Sequence, residues 1–236
     1  PNPEVHGTAR TFLEQKSIIV RSGLLAREAR MLNQPFFKYF KHGLPYITCK
    51  WAMTADGKIA SSTGDSKWIS SSESRQIVHK LRHRVDALLV GAQTVRIDNP
   101  FLTTRIKGLK TPVRIILSTG KQELNPELEI FSTVKQGNIV IAGPEKNKNS
   151  PKAVEYIHAD LGSVKGVKSF LKVLAHRNII HILIEGGSKI FGMFFDFGLV
   201  DEVCSFIAPK VCGGEQALTP VGGERIKKMD EAFCFI

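Results

Sequence analysis

The sequence has no apolar run long enough to cross a bilayer. Its longest, such as Ala87–Val90 and Ile179–Ile184, fall far short of the roughly 20 residues a membrane helix needs. The opening residues Pro1–Arg10 are polar and lack the apolar segment of a secretory leader, so a cytoplasmic protein is expected. Cysteine is scarce. Cys49, Cys204, Cys212 and Cys234 form no C-x-x-C pair, and none sits at a zinc-finger spacing from a histidine. No metal site is therefore expected. Cys49, Cys204 and Cys234 lie in apolar surroundings and read as reduced, buried thiols. Acidic residues are outnumbered, 22 against 33 Lys plus Arg, leaving a net charge of +11. Such a surface suits nucleic acid or small phosphorylated ligands. However, the densest basic groups, His79–Arg84 and Lys146–Lys152, lack the interleaved aromatics of a single-strand platform. No known DNA- or RNA-binding motif, internal repeat or low-complexity segment is present.

What is present is an ordinary globular composition, 42% hydrophobic over 236 residues, arranged as strands alternating with helices. Residues 1–43 read as a separate piece, closed by Gly43 and Pro45. It has a short helix Thr8–Gln15, a strand Ser17–Arg21, and a helix Leu24–Phe40 interrupted by Pro35. Strand-like runs then occur at Tyr46–Met53, Ala87–Val90, Val113–Leu117, Asn138–Ala142, His181–Ile184 and Glu202–Ala208. A helix following Ser70 or Ser71 has a capping-box spacing, Ser70-x-x-Glu73, and an apolar stripe Ile77, Leu81, Val85. Further helices are read at Ala92–Ile97, Val167–Ala175 and Ser188–Phe197. The alternation predicts a mostly parallel α/β sheet flanked by helices. Ala232–Ile236 begins another strand-like run and stops, so a fragment of a longer chain is expected.

A parallel sheet binds ligands beyond the carboxyl ends of its strands. The run Ile182-Leu183-Ile184-Glu185-Gly186-Gly187-Ser188 places a carboxylate, bare backbone and a helix start at such an end. Helix-terminal N–H groups favour an anion there, and glycines admit it without a Cβ in the way. The alternative is a tight strand-to-helix turn whose glycines serve packing. Neither a G-x-G-x-x-G nor a P-loop pattern fits. The turns at Gly91–Thr94, Ser118–Gly120 and Gly143-Pro144 end at the same edge, as an extended, multiply phosphorylated ligand such as a dinucleotide would require.

Three stretches carry a resemblance: KWAMTADGKIASSTGDSKWIS (Lys50–Ser70), LRHRVDALLVGAQTVRIDNPFLTTR (Leu81–Arg105) and ILIEGGS (Ile182–Ser188). Together they resemble the reductase domain of the bacterial bifunctional riboflavin-biosynthesis deaminase-reductase, from about Pro45 to Ile236. Residues 1–43, with PNPEVHG and MLNQPFF, resemble the tail of its deaminase domain, but the zinc-binding motifs of a deaminase are absent. The resemblance implies a dihydrofolate-reductase-like fold and a homodimer. It implies NADPH-dependent reduction of the ribosyl chain of 5-amino-6-(5-phosphoribosylamino)uracil, or of the not-yet-deaminated diaminopyrimidinone.

By the same resemblance, Ser66, Arg82, Leu102, Arg105 and Glu185 lie on the substrate side. Ala52, Trp68, Thr94, Asp98, Ser118, Gly187, Ser188, Lys189, Ile190, Phe191 and Gly192 lie on the cofactor side. Arg82 or Arg105 is the candidate for the ribose 5-phosphate, because a guanidinium fork suits a phosphate. Arg82 is otherwise a solvated helix position, and Trp68 otherwise a packing residue. Lys50 and Glu185 are the candidate proton donors. Lys50 interrupts an apolar strand, so it needs a carboxylate or ligand nearby, and Glu185 is expected to be that carboxylate. Asp56 is either a third catalytic group or a turn cap before Gly57. Ser118 and Thr119, with Lys146 or Lys148, are expected to favour a 2′-phosphate.

Overall fold

The computed structural model describes all residues except 1, 3, 6, 107, 121–122, 147–150, 225 and 236. Lys148 and Ile236 therefore lie outside the described residues. Seven strands form one sheet: β1 (Tyr46–Thr54), β2 (Ala87–Gly91), β3 (Val113–Leu117), β4 (Ile139–Gly143), β5 (Glu155–His158), β6 (His181–Gly186) and β7 (Glu202–Ala208). Their order is β5-β4-β3-β2-β6-β1-β7 and every pairing is parallel. All carboxyl ends thus share one edge. β1 lies between β6 and β7, with Tyr46 opposite His181 and Lys50 opposite Cys204.

Strand residues alternate between two apolar clusters, as a sheet covered on both faces demands. One face packs Ile47, Cys49, Leu89, Ile115 and Ile184 under α7 (Val164–His176) and α8 (Ser188–Asp196). In α7 the buried positions Val167, Phe170, Leu171 and Leu174 repeat at helical spacing, and the Ser163 side chain caps it by accepting from Gly166 N at 3.0 Å. The other face packs Leu88, Val90, Ile116 and Ile141 under α4 (Ser72–Arg84), α5 (Ala92–Asp98) and α6 (Glu129–Ser132). That second cluster reaches Leu183 of β6 but includes no residue of β1 or β7. Lys50 and Glu185 stand where the apolar packing gives out.

The helix after the serine run differs from its expected form. Ser71 is the cap, accepting from Ser74 N at 3.2 Å, and the Ser70–Glu73 box does not form. Its inward face is turned as well: Val78 is buried while Ile77 is half exposed. The rotation carries Arg82 inward, where it forms a buried ion pair with a carboxylate of β6.

At the N-terminus, α1 (Thr8–Gln15) forms where expected, but Ser17–Arg21 pairs with no strand. The helical stretch is broken at Asn33 into α2 (Ala26–Leu32) and α3 (Gln34–His42). Pro35 opens α3 rather than interrupting it, since the first turn needs no N–H from it. α3 docks on the sheet: Lys38 pairs with Asp201, whose carboxylate also accepts from Ile47 N at 2.7 Å, and Tyr46 Oη donates to Gln34 at 2.5 Å. Ala232–Phe235 forms no strand; Phe233 instead packs on Phe195 at 5.3 Å between ring centres.

Ser71→Ala should lower stability by about 1 kcal/mol in chemical denaturation, while Ser70→Ala should stay within about 0.5 kcal/mol. Equal effects would refute this cap assignment.

Candidate functional site

Glu185 is the last side chain of β6 before the glycine pair. Arg82 meets it with a fork: Nε donates to Oε1 and Nη2 to Oε2, both at 2.6 Å. Both side chains are largely buried. Burial alone would push the Glu185 carboxyl up, but Arg82, with smaller help from Lys50 and His79, brings it down to about 2. Glu185 is therefore an anion at neutral pH.

Lys50 lies one position beyond the Cys49–Ile184 register pair, beside Glu185. Among the described residues, no carboxylate comes within 4.0 Å of its ammonium. Its nitrogen sits 5.7 Å from the centre of the Phe206 ring. The expected Lys50–Glu185 pair is thus replaced by Arg82–Glu185, because a planar fork satisfies both carboxylate oxygens and an ammonium does not. Burial lowers the Lys50 pKa; Glu185 opposes this and Arg82 adds to it.

Arg82 also donates through Nη1 to the Thr103 carbonyl at 3.0 Å, which pins the loop after α5. Arg114 holds the same loop from below. It is fully buried and donates to the carbonyls of Phe101, Ile130, Thr133 and Gly137 and to the Thr133 hydroxyl. Burial brings its pKa down to about 10. Between these anchors, Leu102 and Arg105 adopt left-handed backbone at φ 54° and 53°, and Leu102 is buried. Arg105 is exposed, lies 5.5 Å over the Phe101 ring and has no carboxylate within 4.0 Å among the described residues. It borders an open cavity of about 400 Å³ with Thr103, Thr104, Lys110 and Gln136. Arg82 has given most of its donors to protein acceptors, so Arg105 is the free guanidinium of the two.

The second half of the edge is built from turns. Gly187 is the N-cap of α8, and a Cβ there would stand 3.1 Å from Thr94 Oγ1, so the β6 and β2 turns touch. Gly192 answers a different need: a Cβ would collide with the Gly222 carbonyl, so this glycine admits a crossing segment of the protein's own backbone. The Phe191 side chain is buried against Trp51, Ile190 lies near Gly91, and Lys189 is exposed. Ser188 accepts from Gly222 N through its carbonyl at 3.1 Å. The first turn of α8 still has backbone donors without intrahelical partners.

Trp68 is largely exposed; Arg75 stacks on it at 4.6 Å and Lys210 donates to its carbonyl at 2.5 Å. Ser66 is half-buried in the same loop, and Ala52 is half-buried on β1, opposite Phe206. Burial raises the Asp98 pKa against the pull of Lys67. Ser118 is buried and its hydroxyl accepts from Gly120 N at 3.2 Å. Asp56 sits apart from Glu185 and Lys50 in its contacts. Its exposed carboxylate accepts from Cys212 N at 3.0 Å and Gly213 N at 2.7 Å; a hydrogen bond with the Thr54 side chain, and then these two, hold it well below the usual range. It fastens the β1 turn to the loop after β7.

His79, one turn before Arg82, did not stand out in the sequence. It is in electrostatic contact with Arg82, Arg105 and Glu185. The i, i+3 spacing to Arg82 was the available signal.

Residues 45–234 match the family described as RibD C-terminal domain. The chain is 37% identical over 239 residues to the riboflavin biosynthesis protein RibD of Actinobacillus pleuropneumoniae, covering 98% of this chain and 63% of that protein. Among solved structures it superposes on a diaminohydroxyphosphoribosylaminopyrimidine deaminase/5-amino-6-(5-phosphoribosylamino)uracil reductase from Thermotoga maritima. There the TM-score is 0.81 and the identity 34%, over 93% of this chain and 60% of that one. For RibD of Acinetobacter baumannii the values are 0.86 and 29%, over 100% and 65%. The chain thus spans under two thirds of these relatives' length. Among the described residues, no helix is long and apolar enough to cross a membrane.

Because folding leaves Glu185 ionised, its stabilising effect is full above the unfolded carboxyl value near 4.5 and fades as pH falls toward 2. Arg82→Leu should cost about 3–5 kcal/mol at pH 7 by stranding this anion. The Arg82→Leu/Glu185→Leu double variant should recover part of that loss in denaturant titrations. Additive losses would contradict the pairing.

Proposed function

Since the chain belongs to the RibD C-terminal domain family, we propose that it reduces the open-chain ribosyl group of 5-amino-6-(5-phosphoribosylamino)uracil to the ribityl product with NADPH. The observation that carries this reading is the constellation at the strand edge. A buried anion one residue before a glycine turn stands beside a half-buried lysine that has no carboxylate within 4.0 Å among the described residues, and Arg82, which pairs with that anion, also pins the loop that carries Arg105.

The residues fit a dinucleotide. The first-turn donors of α8 suit a pyrophosphate. Thr94 lies against the Gly187 turn, and Trp68 offers a ring face at the rim. We assign Ala52, Thr94, Asp98, Ser118 and residues 187–192 to this side. Gly192 and Phe191 act there through the packing that shapes the turn. NADPH, when bound, supplies the hydride, which goes to C1′ of the sugar.

The protein supplies position and a proton. Arg105 takes the 5-phosphate, with Leu102 and Ser66 bordering the sugar. Glu185 is already ionised, so it is a poor proton donor and a good hydrogen-bond acceptor for sugar hydroxyls. Lys50, its pKa lowered by burial, delivers the proton to the atom left electron-rich by hydride addition. Asp56 anchors the turn that follows Lys50's strand.

We also assign residues 1–43 to the tail of a deaminase-like domain and 44–236 to the reductase domain. Supporting this, α1 and α2 bury no residue, and Phe12, Ile19, Leu24 and Leu32 are exposed. Subunit pairing and a cytoplasmic location belong to the same reading.

Anaerobic mixing with NADPH and the phosphoribosylamino-uracil should consume the nicotinamide absorbance; no oxidation would defeat the proposal. Lys50→Met should lower kcat by about 100-fold or more while leaving NADPH affinity nearly unchanged. Ser118→Asp should weaken NADPH relative to NADH through charge repulsion at the 2′-phosphate; an unaltered preference counts against that pocket.

A further inference from the structure

Arg105 is exposed, yet its guanidinium has a companion. It lies 5.5 Å over the ring centre of Phe101, four residues earlier in the same loop. Phe101 is half-buried and belongs to neither apolar cluster of the sheet, so its ring does not serve to fill the core. The backbone beneath that ring is fixed from the opposite side. The Phe101 carbonyl accepts from Nη1 of the fully buried Arg114 at 3.4 Å. Two residues on, the Thr103 carbonyl accepts from Arg82 at 3.0 Å, and Leu102 between them is buried in left-handed backbone. A side chain carried by such a backbone keeps little freedom beyond its own χ angles. Phe101 is thus a ring of set position beneath the arginine that borders the cavity of about 400 Å³.

The contact has a particular chemistry. An aromatic face attracts a cation electrostatically and takes none of its N–H donors. A carboxylate would also order Arg105, but it would occupy the fork and cancel the charge, as Glu185 does to Arg82. A ring therefore orders a guanidinium and leaves it able to bind an anion. Ordering matters because a long side chain that clamps a ligand gives up rotamer freedom at that moment. We propose that Phe101 is a positioning residue for the phosphorylated end of the substrate: its ring holds the Arg105 guanidinium ready beside the cavity and leaves its donors for the phosphate. The inference rests on the assignment of Arg105 to the 5-phosphate. The ring acts only through Arg105, so its effect disappears with that side chain.

Steady-state reduction of the phosphoribosylamino-uracil by NADPH, with that substrate varied, separates binding from chemistry. Phe101→Leu keeps an apolar side chain and removes the π face. Because Phe101 lies outside both clusters, the change opens no cavity in the core. It should raise KM for the phosphorylated substrate about 3- to 5-fold, the loss expected for one exposed cation–π contact, while kcat and KM for NADPH change by less than about twofold. Phe101→Tyr restores the face and should return KM to within about twofold of the wild type. With Arg105→Ala already in place, Phe101→Leu should raise KM no further. A KM that Phe101→Leu leaves unraised, a loss shared equally by NADPH, a loss that tyrosine does not restore, or the same loss in the Arg105→Ala background overturns the proposal and leaves the reductase reading standing. A KM that Arg105→Ala does not raise overturns the phosphate assignment and the proposal with it. Absence of NADPH oxidation by the wild type overturns the reductase reading and everything that rests on it.

Discussion

A carboxylate at the end of an interior parallel strand is expensive to bury, and nearly everything around the edge is arranged to tolerate Glu185. Arg82 meets both of its oxygens. To do so α4 must turn its polar face inward, which is why Val78 is buried and Ile77 is not. The same guanidinium reaches the Thr103 carbonyl and so fixes the loop that presents Arg105. Because the fork occupies Glu185, Lys50 is left near an aromatic ring, with no carboxylate within 4.0 Å among the described residues. One pairing thus settles which group is an anion, which cation is held and which two remain available.

The loop from Asn99 to Arg105 shows how buried cations can serve as fasteners. Arg114 has no acidic partner among the described residues, but it gathers carbonyl oxygens from three segments and includes Phe101 among them. Carbonyls at the ends of α6 and the following turn carry partial negative charge, so the cation is solvated by backbone in place of water. Held by Arg114 on one side and Arg82 on the other, the loop sustains left-handed residues that an unsupported chain would relax.

Much of this was legible in the residues. Strands such as Val113–Leu117 and Glu202–Ala208 declared themselves through β-branched runs, and Asn99-Pro100 stopped α5 where expected. Glu185, Lys50 and Arg105 stood out because charge interrupts apolar pattern or ends a motif. What stayed hidden was rotation and partnership. Periodicity put Ile77 on the inward stripe of α4, and only the tertiary pair Arg82–Glu185 accounts for Val78 being buried in its place. β5 is a short edge strand, too brief for alternation to show, and Ser17–Arg21 had strand-like composition but no neighbour to pair with. His79 looked like one more basic residue in a basic helix, since the groups that act on it include a loop 24–26 residues farther along the chain and a strand still more distant.

The position of β1 has a consequence for how the molecule is made. This early strand pairs only with β6 and β7, so Tyr46 waits for His181 and Thr48 for Glu202. During synthesis from the N-terminus, the strand bearing Lys50 emerges long before either neighbour exists. Its exposed backbone must be kept from other partners until the last third of the chain arrives. Closing so long a loop is entropically late, which makes insertion of β1 a concluding event of assembly. The edge that carries Lys50 beside Glu185 is therefore completed by the same step that completes the sheet.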